Sequence, residues 1–332
     1  MMKEKIKLAF TDFWSDFDIN NNLFIDVLND EFDVILTKDN PDYLLFSLFG
    51  TDYLNFDCTR ILFIGENVRP DFRICDYCFT FDYTNDPRNY RLPLYSLFDD
   101  VYKLTKPKNM DELMSQKTSF CNFIHSNPGP KKRFEFYKKL SKYKRVDSGG
   151  RFHNNIGGRV IDKIEFIRRY KFTFAFESIS YPGYTTEKIF EPMLVGSIPI
   201  YWGNELIHRD FNTKSFLNWH DYNNDEALIE KIIELDCNDE LYKEYLSQPF
   251  FENNQVNEFV NRENILNRFK YIFSQNITPV SKKSKIITGN YFERKSDLNY
   301  QKIKFHIKRY WDKVVNFKLI KFKIKFNRMR GK

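Results

Sequence analysis

Short apolar runs separated by polar or helical segments fill the first hundred residues of the chain. Near-continuous apolar runs of this length are typical of strands that are buried on both faces of a parallel sheet covered by helices. The runs are KIKLAF (5–10), FDVILT (32–37), YLLFSLF (43–49), RILFIG (60–65) and YCFTFD (77–82). They predict an N-terminal α/β domain over residues 1–115.

The same alternation begins again after residue 115 and predicts a second α/β domain over residues 116–273. Its centre is a strand–helix–strand unit, the usual connection between parallel strands. The predicted elements, in chain order, are a strand (119–126), a basic helix (131–143), a glycine-rich loop (147–158), a helix (162–170), a strand (171–177), a helix (186–195), a strand (197–202) and helices near 225–235, 239–247 and 257–273. Two consecutive α/β domains form a crevice at the carboxyl ends of their strands, where such folds bind ligands.

Residues 274–332 have a different character. Residues 274–299 are polar and aperiodic, which predicts a linker. Residues 300–332 hold twelve Lys and Arg against one acid, so this segment has a local charge of +11 while the other residues sum to −4. Apolar residues recur in it every three or four positions, which predicts a basic amphipathic tail. We expect the tail to lie on an anionic membrane surface; docking onto the body and nucleic-acid binding are the alternatives.

Composition narrows the class of protein. Apolar residues make up 42% and charged residues 29% of the 332 residues, which excludes a disordered chain and an integral membrane protein. The N-terminus lacks the apolar stretch of a signal peptide, so we expect a cytoplasmic protein, peripheral on the inner membrane face through its tail. The five cysteines are scattered and odd in number, as expected for reduced thiols.

One polar segment, Tyr184-Thr185-Thr186-Glu187-Lys188 (YTTEK), stands between a predicted buried strand and an apolar helix. Thr185 is the expected N-cap of that helix. The free N–H groups and the positive dipole end of a helix N-terminus favour a phosphate, and Lys188 would add charge to such a site. Glu187, which only accepts hydrogen bonds when ionised, suits a pair of sugar hydroxyls. Taken alone, an acid in a first turn more often merely complements the helix dipole.

The YTTEK segment and the sequence on either side of it resemble glycosyltransferase family 10, the α-1,3/4-fucosyltransferases. The similarity rests on YKFTFAFES, GYTTEKIFEPML and GSIPIYWG, and extends to ILFIGENVRPDF, RLPLY, VDSGGRFHNNIGG and FNTKSFLN. It implies two Rossmann-like domains facing a cleft (the GT-B type), GDP-fucose as donor, an acceptor oligosaccharide, and inversion at the anomeric carbon with no bound metal or other cofactor. Ser178 departs from the family, which usually has Asn at this position.

The resemblance also implies roles for individual residues. It assigns the donor ribose to Glu187 and the diphosphate to Lys188, with Tyr184 and Thr186 beside them in the same segment. Glu177 and Ser178, which end the preceding strand, belong to the same donor-binding motif.

Two further residues complete the predicted site. The family's Gly-Glu motif after a strand carries the proposed base, which here is Glu66; a partly desolvated carboxylate at a strand end has the raised pKa that a base requires. Arg151 in the glycine-rich loop is the predicted second cation for the diphosphate, because a guanidinium binds phosphate through two hydrogen bonds. Some relatives place this arginine two positions later, where the chain has His153.

Two other functions stay open from the sequence. One is a two-domain transferase that uses a different nucleotide sugar, an alternative raised by Ser178. The other is a non-catalytic membrane or nucleic-acid binding module; the aromatic residues of the tail favour lipid over nucleic acid as its partner. We expect the acceptor to be N-acetylglucosamine or glucose in a surface polysaccharide or lipopolysaccharide.

Overall fold

The computed structural model describes residues 3–127 and 129–282. Two sheets form its framework, and every pairing between their strands is parallel. This confirms the predicted α/β class with parallel sheets. The predicted tail lies outside the described residues, as does the linker beyond residue 282.

The first sheet contains all five predicted strands and a sixth, short one. Its strands are β1 (Glu4–Thr11), β2 (Phe32–Leu36), β3 (Tyr43–Phe46), β4 (Thr59–Ile64), β5 (Tyr77–Thr80) and β6 (Asn89–Arg91). Their order is β2-β1-β3-β4-β5-β6. The order reverses between β1 and β3, and ligands of open α/β sheets bind at such a switch point, beyond the carboxyl ends of the strands.

The second sheet repeats this order with five strands. They are β7 (Ser119–Phe123), β8 (Val146–Ser148), β9 (Tyr170–Phe176), β10 (Ile198–Trp202) and β11 (Leu217–Asn218). The order β11-β10-β9-β7-β8 places its switch point between β7 and β9. The sequence pattern missed β8, β11 and β6 because strands of two or three residues carry no readable periodicity.

Eight α-helices connect and cover the two sheets in the described part of the chain. They are α1 (Leu23–Leu28), α2 (Met110–Gln116), α3 (Lys131–Leu140), α4 (Lys163–Arg168), α5 (Glu187–Leu194), α6 (Asp225–Cys237), α7 (Asp239–Ser247) and α8 (Arg262–Ser274). None of the described helices is long and apolar enough to cross a membrane.

The last helix, α8, packs against the first sheet although the sequence assigned it to the second domain. Phe269 lies edge-on to Phe24 of α1 at 6.1 Å between ring centroids and close to Phe79 of β5 at 5.0 Å. One apolar cluster holds these rings together with Phe190 of α5 and Tyr201 of β10. The core is therefore continuous across both sheets within residues 1–277, which form one compact unit. The predicted domain boundaries themselves stay a prediction.

Candidate functional site

The YTTEK segment joins the carboxyl end of β9 to the N-terminus of α5. Thr186, not Thr185, is the N-cap of α5, and its side chain accepts a hydrogen bond from the backbone N–H of Lys188. The expectation of a Thr185 cap was wrong by one residue because the Thr185 hydroxyl is already used. It is fully buried and donates to Asp210 at 2.6 Å.

Glu177, the residue after β9, is fully buried beneath this segment. Its carboxylate accepts hydrogen bonds from the Thr186 backbone N–H and hydroxyl, each at 2.8 Å, and lies 3.2 Å from the Lys188 ammonium. Burial raises the pKa of Glu177, while Lys188 acts in the opposite direction. Both carboxylate oxygens are thus engaged within the protein, and Glu177 holds the segment in place.

Lys188 lies between two carboxylates. Its ammonium is 3.4 Å from Glu187 as well as 3.2 Å from Glu177. Burial acts to lower the pKa of Lys188, but the two acids outweigh it and hold the pKa well above its usual range. Burial acts to raise the pKa of Glu187, but the positive charges of Lys188 and then Lys163 bring this pKa below its usual range. Both side chains are charged near neutral pH, and both are about one-fifth exposed.

Tyr184 connects this segment to the first sheet. The residue is buried, and burial, followed by the nearby Glu177 charge, raises its pKa to about 12. Ser178 follows β9 and is exposed, and its hydrogen bond with Tyr184 acts to lower the pKa of that tyrosine. The charge of Glu66 also acts to raise this pKa. The Tyr184 ring packs edge to face against Phe81, which follows β5, at 5.0 Å between ring centroids, so Tyr184 joins the segment to the first sheet.

Glu66 itself is exposed, whereas the sequence analysis expected partial desolvation. The reason is its position, since β4 ends at Ile64 and the chain reaches Glu66 only after the buried Gly65. The carboxylate is consequently available at the carboxyl end of the first sheet.

The glycine-rich loop places Arg151 on the surface beyond β8, with no hydrogen bond or ion pair to another described residue. The loop passes so close to the end of β7 that a Cβ on Gly150 would lie 2.0 Å from the backbone oxygen of His125. His153 adopts a left-handed conformation (φ 54°), and its Nε2 is 2.9 Å from the Tyr137 hydroxyl. Arg151 is thus the free cation of this loop, while His153 has a protein partner.

His125 is a residue of this site that the sequence analysis missed. It is buried, its Nε2 has no hydrogen-bond partner in the described part of the chain, and it borders a small cavity with Lys163 and Lys188. Burial, followed by the charges of Arg133, Lys188 and Lys163, holds the pKa of His125 well below its usual range. Its place at the end of a predicted strand was the available signal.

A buried ion pair, also missed, fixes the loop before α5. Arg91 of β6 donates two hydrogen bonds to Asp210, at 2.7 and 2.8 Å, and a third to the Gly183 carbonyl at 3.1 Å. Asn204, after β10, accepts from the Gly183 N–H at 2.7 Å. These contacts join the first sheet to the YTTEK segment, and no local sequence signal pairs residues so far apart.

A cavity of about 430 Å³ lies away from the predicted site residues, beside β6 and α8. None of those residues lines it. Its lining residues are Asp82, Tyr83, Thr84, Asn89, Tyr90, Arg91, Glu258, Phe259, Asn264, Asn267 and Arg268. In residues 3–127 and 129–282, no group of three or more His, Cys, Asp or Glu residues is arranged to hold a metal ion.

Two family models of known proteins match this chain, one over the first sheet and one over the second. Residues 8–98 match the family model of the alpha-(1,3)-fucosyltransferase FucT N-terminal domain, and residues 114–280 match that of the glycosyltransferase family 10 (fucosyltransferase) C-terminal region. The chain belongs to glycosyltransferase family 10. The second match contains Arg151 and the whole YTTEK segment, and the first contains Glu66.

Individual family 10 relatives resemble the chain over most or part of its length. It is 31% identical over 286 residues to alpha-(1,3)-fucosyltransferase FucT of Helicobacter pylori, covering 73% of this chain and 59% of that protein. It is 31% identical over 141 residues to human 4-galactosyl-N-acetylglucosaminide 3-alpha-L-fucosyltransferase 9, covering 41% of this chain and 38% of that protein. The chain thus spans less than two thirds of the length of these relatives.

A solved structure shares the fold. The crystal structure of an alpha1,3-fucosyltransferase with GDP-fucose superposes with a TM-score of 0.69 at 26% identity, covering 83% of this chain and 93% of that chain.

Proposed function

We propose that the protein transfers fucose from GDP-fucose to a hydroxyl of an acceptor glycan, with inversion at the anomeric carbon. The observation that carries the proposal is the pairing of Glu187 and Lys188, 3.4 Å apart and each about one-fifth exposed, at the N-terminus of α5. The helix N-terminus and Lys188 favour a phosphate, and Glu187 suits the ribose hydroxyls, so this segment offers both contacts that a nucleotide-sugar donor needs.

In the proposed reaction, Glu66 accepts the proton of the acceptor hydroxyl as its oxygen attacks the anomeric carbon of fucose. The bond from that carbon to the β-phosphate oxygen breaks, and GDP leaves with the bonding electrons. Because attack and departure occur on opposite faces in a single displacement, the configuration inverts. Glu66 then carries the proton, which it releases to solvent.

The leaving diphosphate needs positive charge near its oxygens, since preorganised charges lower a barrier most where charge develops. We assign this role to Arg151 and Lys188, with no metal ion required. Arg151 is exposed and has no protein partner among the described residues, while Lys188 is held in place by Glu177. Glu187, ionised and partly exposed, accepts hydrogen bonds from the ribose hydroxyls.

The remaining predicted donor-site residues have supporting roles in this proposal. Thr186 caps α5, and Glu177 fixes both Thr186 and Lys188. Tyr184 and Ser178 form the wall of the donor site between β9 and α5. We further assign the GT-B arrangement, with residues 1–115 on the acceptor side and 116–273 on the donor side.

We infer that the acceptor is N-acetylglucosamine or glucose in a surface polysaccharide or lipopolysaccharide. Residues 300–332 would hold the enzyme on the inner membrane face, next to a membrane-bound acceptor. Their charge of +11 and their aromatic residues support this assignment.

A thermal-shift panel of GDP, UDP, CDP and the corresponding sugars, with and without EDTA, tests the donor. We expect selective stabilisation by GDP and GDP-fucose that EDTA leaves unchanged. A ligand at one hundred times its dissociation constant stabilises the folded state by about 2.7 kcal/mol, which such a melt resolves. A preference for UDP would support another nucleotide sugar, and no response to any nucleotide would contradict the proposal.

The Glu66→Gln variant tests the assigned base. We expect it to lose transfer by at least about a hundredfold, the usual contribution of a general base. Stabilisation by GDP should persist because Glu66 lies outside the proposed diphosphate site. Glu230→Gln, at an exposed position of α6, is the matched control and should keep full activity. Loss of GDP binding in Glu66→Gln would show that this residue is not the base.

A further inference from the structure

An exposed phenylalanine and a partly buried tryptophan lie at the carboxyl end of the first sheet, the sheet that carries Glu66. Trp14 follows β1 and Phe49 follows β3, and their rings meet edge to face with 6.3 Å between centroids. Phe49 is 54% exposed, although a phenylalanine usually avoids water. An aromatic pair that stays partly open to solvent, at the sheet end that carries the proposed base, marks a binding surface.

The aromatic pair packs against the apolar core through Trp14. The Trp14 ring is tilted by 58° against Phe63, at 6.5 Å between ring centroids, and Phe63 is fully buried in β4. Three residues further along the chain is Glu66. The aromatic surface and the proposed base are therefore parts of the same end of the same sheet.

The loops that hold these rings are fixed to each other by Asp12. Its carboxylate accepts hydrogen bonds from the backbone N–H groups of Asp52, at 3.0 Å, and Tyr53, at 2.8 Å, and its carbonyl accepts from Phe49 at 2.9 Å. Asp12 has a φ of 58°, a conformation that non-glycine residues keep only where the surrounding structure enforces it. The loops after β1 and β3 thus form one preorganised unit.

Charge around the pair selects the kind of ligand. Residues 11–22 contain Asp12, Asp16 and Asp18, residues 47–55 contain Asp52, and neither segment contains Lys or Arg. Four carboxylates without a local cation disfavour an anionic ligand. Asp16, Asp18 and Asp52 are exposed and accept hydrogen bonds, so they suit a neutral ligand with many hydroxyl groups.

We infer that Trp14 and Phe49 form the acceptor subsite, on which a neutral pyranose ring of the acceptor stacks with its hydroxyl toward Glu66. The C–H face of a sugar ring is weakly positive and apolar, and the face of an aromatic ring is negative, so the two attract. The inference rests on the proposed function and names the surface that would select its acceptor.

The test measures acceptor binding separately from donor binding. Initial rates are recorded with GDP-fucose and varied N-acetyllactosamine or lactose for the full chain and for Trp14→Ala and Phe49→Ala. We expect each variant to raise the acceptor KM by about tenfold, the change that corresponds to losing 1.4 kcal/mol of binding. The KM for GDP-fucose and the thermal stabilisation by GDP should stay unchanged.

Two further variants separate recognition from folding. Leu54→Ala removes an exposed apolar side chain from the neighbouring turn, 43% exposed, and should leave the acceptor KM unchanged. Phe49→Tyr keeps the ring face and should retain parental KM within about twofold, a difference of roughly 0.4 kcal/mol. An unchanged acceptor KM in both alanine variants, or a loss of GDP stabilisation equal to the loss of acceptor binding, would overturn the inference.

If the full chain transfers no fucose, the proposed function fails, and direct binding still decides the inference. Saturation-transfer NMR with N-acetyllactosamine and lactose should then show sugar contacts for the full chain that disappear in Phe49→Ala. Absence of binding by either sugar, or equal signals from both proteins, would overturn the acceptor subsite.

Discussion

At the scale of single residues, a glycine allows the proposed diphosphate loop to approach the backbone beyond β7 closely. Gly150 packs directly on the backbone of His125, which cannot move away as a flexible side chain could. His125 in turn borders the cavity beside Lys188. A side chain at position 150 would therefore displace Arg151 relative to Lys188.

We predict that Gly150→Ala weakens GDP binding about tenfold, or 1.4 kcal/mol, and destabilises the fold by about 1–3 kcal/mol, the usual cost of overpacking. Gly158→Ala is the matched control in the same loop, because a Cβ there meets no atom within 4 Å. Isothermal titration with GDP and urea denaturation measure the two effects. Equal behaviour of the two variants would contradict the importance of this close approach.

At the scale of elements, a single buried lysine connects the ends of two helices. Lys117, just before β7, donates hydrogen bonds to the Arg168 carbonyl at the end of α4 (2.6 Å) and to the Val195 carbonyl that caps α5 (2.8 Å). A cation at helix C-termini complements their dipoles. Burial nevertheless dominates and, with the charge of Arg168, lowers the pKa of Lys117 to about 7.

This shift predicts how stability depends on pH. An unfolded lysine has a pKa of about 10.4, so between pH 7 and 10.4 the unfolded chain binds more protons than the folded one. The contribution of Lys117 to the free energy of unfolding therefore rises with pH, by up to about 1.4 kcal/mol per pH unit. Urea denaturation at pH 7 and pH 9 should show that Lys117→Met flattens this rise, whereas exposed Lys142→Met does not. An unaltered slope in Lys117→Met would show that Lys117 stays protonated.

The sequence predicts most strands of the first sheet, but it leaves open which side chains pair with one another. The apolar runs of β1 to β5 were readable because both faces of a parallel strand are buried. Strand ends and a family motif predict Glu66, Glu187 and Lys188 as site residues, and these roles stay predictions. The partners of these residues were not readable. Glu177 turned inward to Lys188, and Asp210 paired with Arg91 across 119 positions, since such contacts are set by tertiary packing.

At the scale of the whole molecule, the Arg91–Asp210 pair joins the first sheet to the loops of the second. The guanidinium lies between the rings of Tyr83 and Phe259, 4.4 Å from each centroid, and both charged side chains are almost fully buried. Burial acts to lower the pKa of Arg91, but Asp210 outweighs it and the pKa is raised. The Arg91 guanidinium therefore keeps its charge in the core.

We predict that Arg91→Met destabilises the protein by about 3–5 kcal/mol, because it leaves the Asp210 carboxylate buried without its partner. Adding Asp210→Asn should recover part of this loss, so the double variant should be more stable than the sum of the two single changes implies. Arg73→Met, which removes one side of an exposed pair, should change stability by less than about 1 kcal/mol. Urea denaturation of the four variants measures the coupling, and strict additivity would contradict it.

Charge is distributed unevenly along the whole chain, and this asymmetry predicts where the protein binds. Residues 300–332 carry +11 while residues 1–299 sum to −4, so the net charge favours attraction of the tail to an anionic surface. Each Lys or Arg near such a surface contributes about 1 kcal/mol, enough for twelve of them to hold the enzyme there at low salt.

Deleting residues 300–332 should abolish sedimentation with phosphatidylglycerol vesicles while transfer to a soluble acceptor continues at a similar rate. The full chain should leave the vesicles as salt rises, because exposed charges are screened beyond about 8 Å at 0.15 M. Vesicle binding that survives the deletion would assign the membrane contact to residues 1–299 instead.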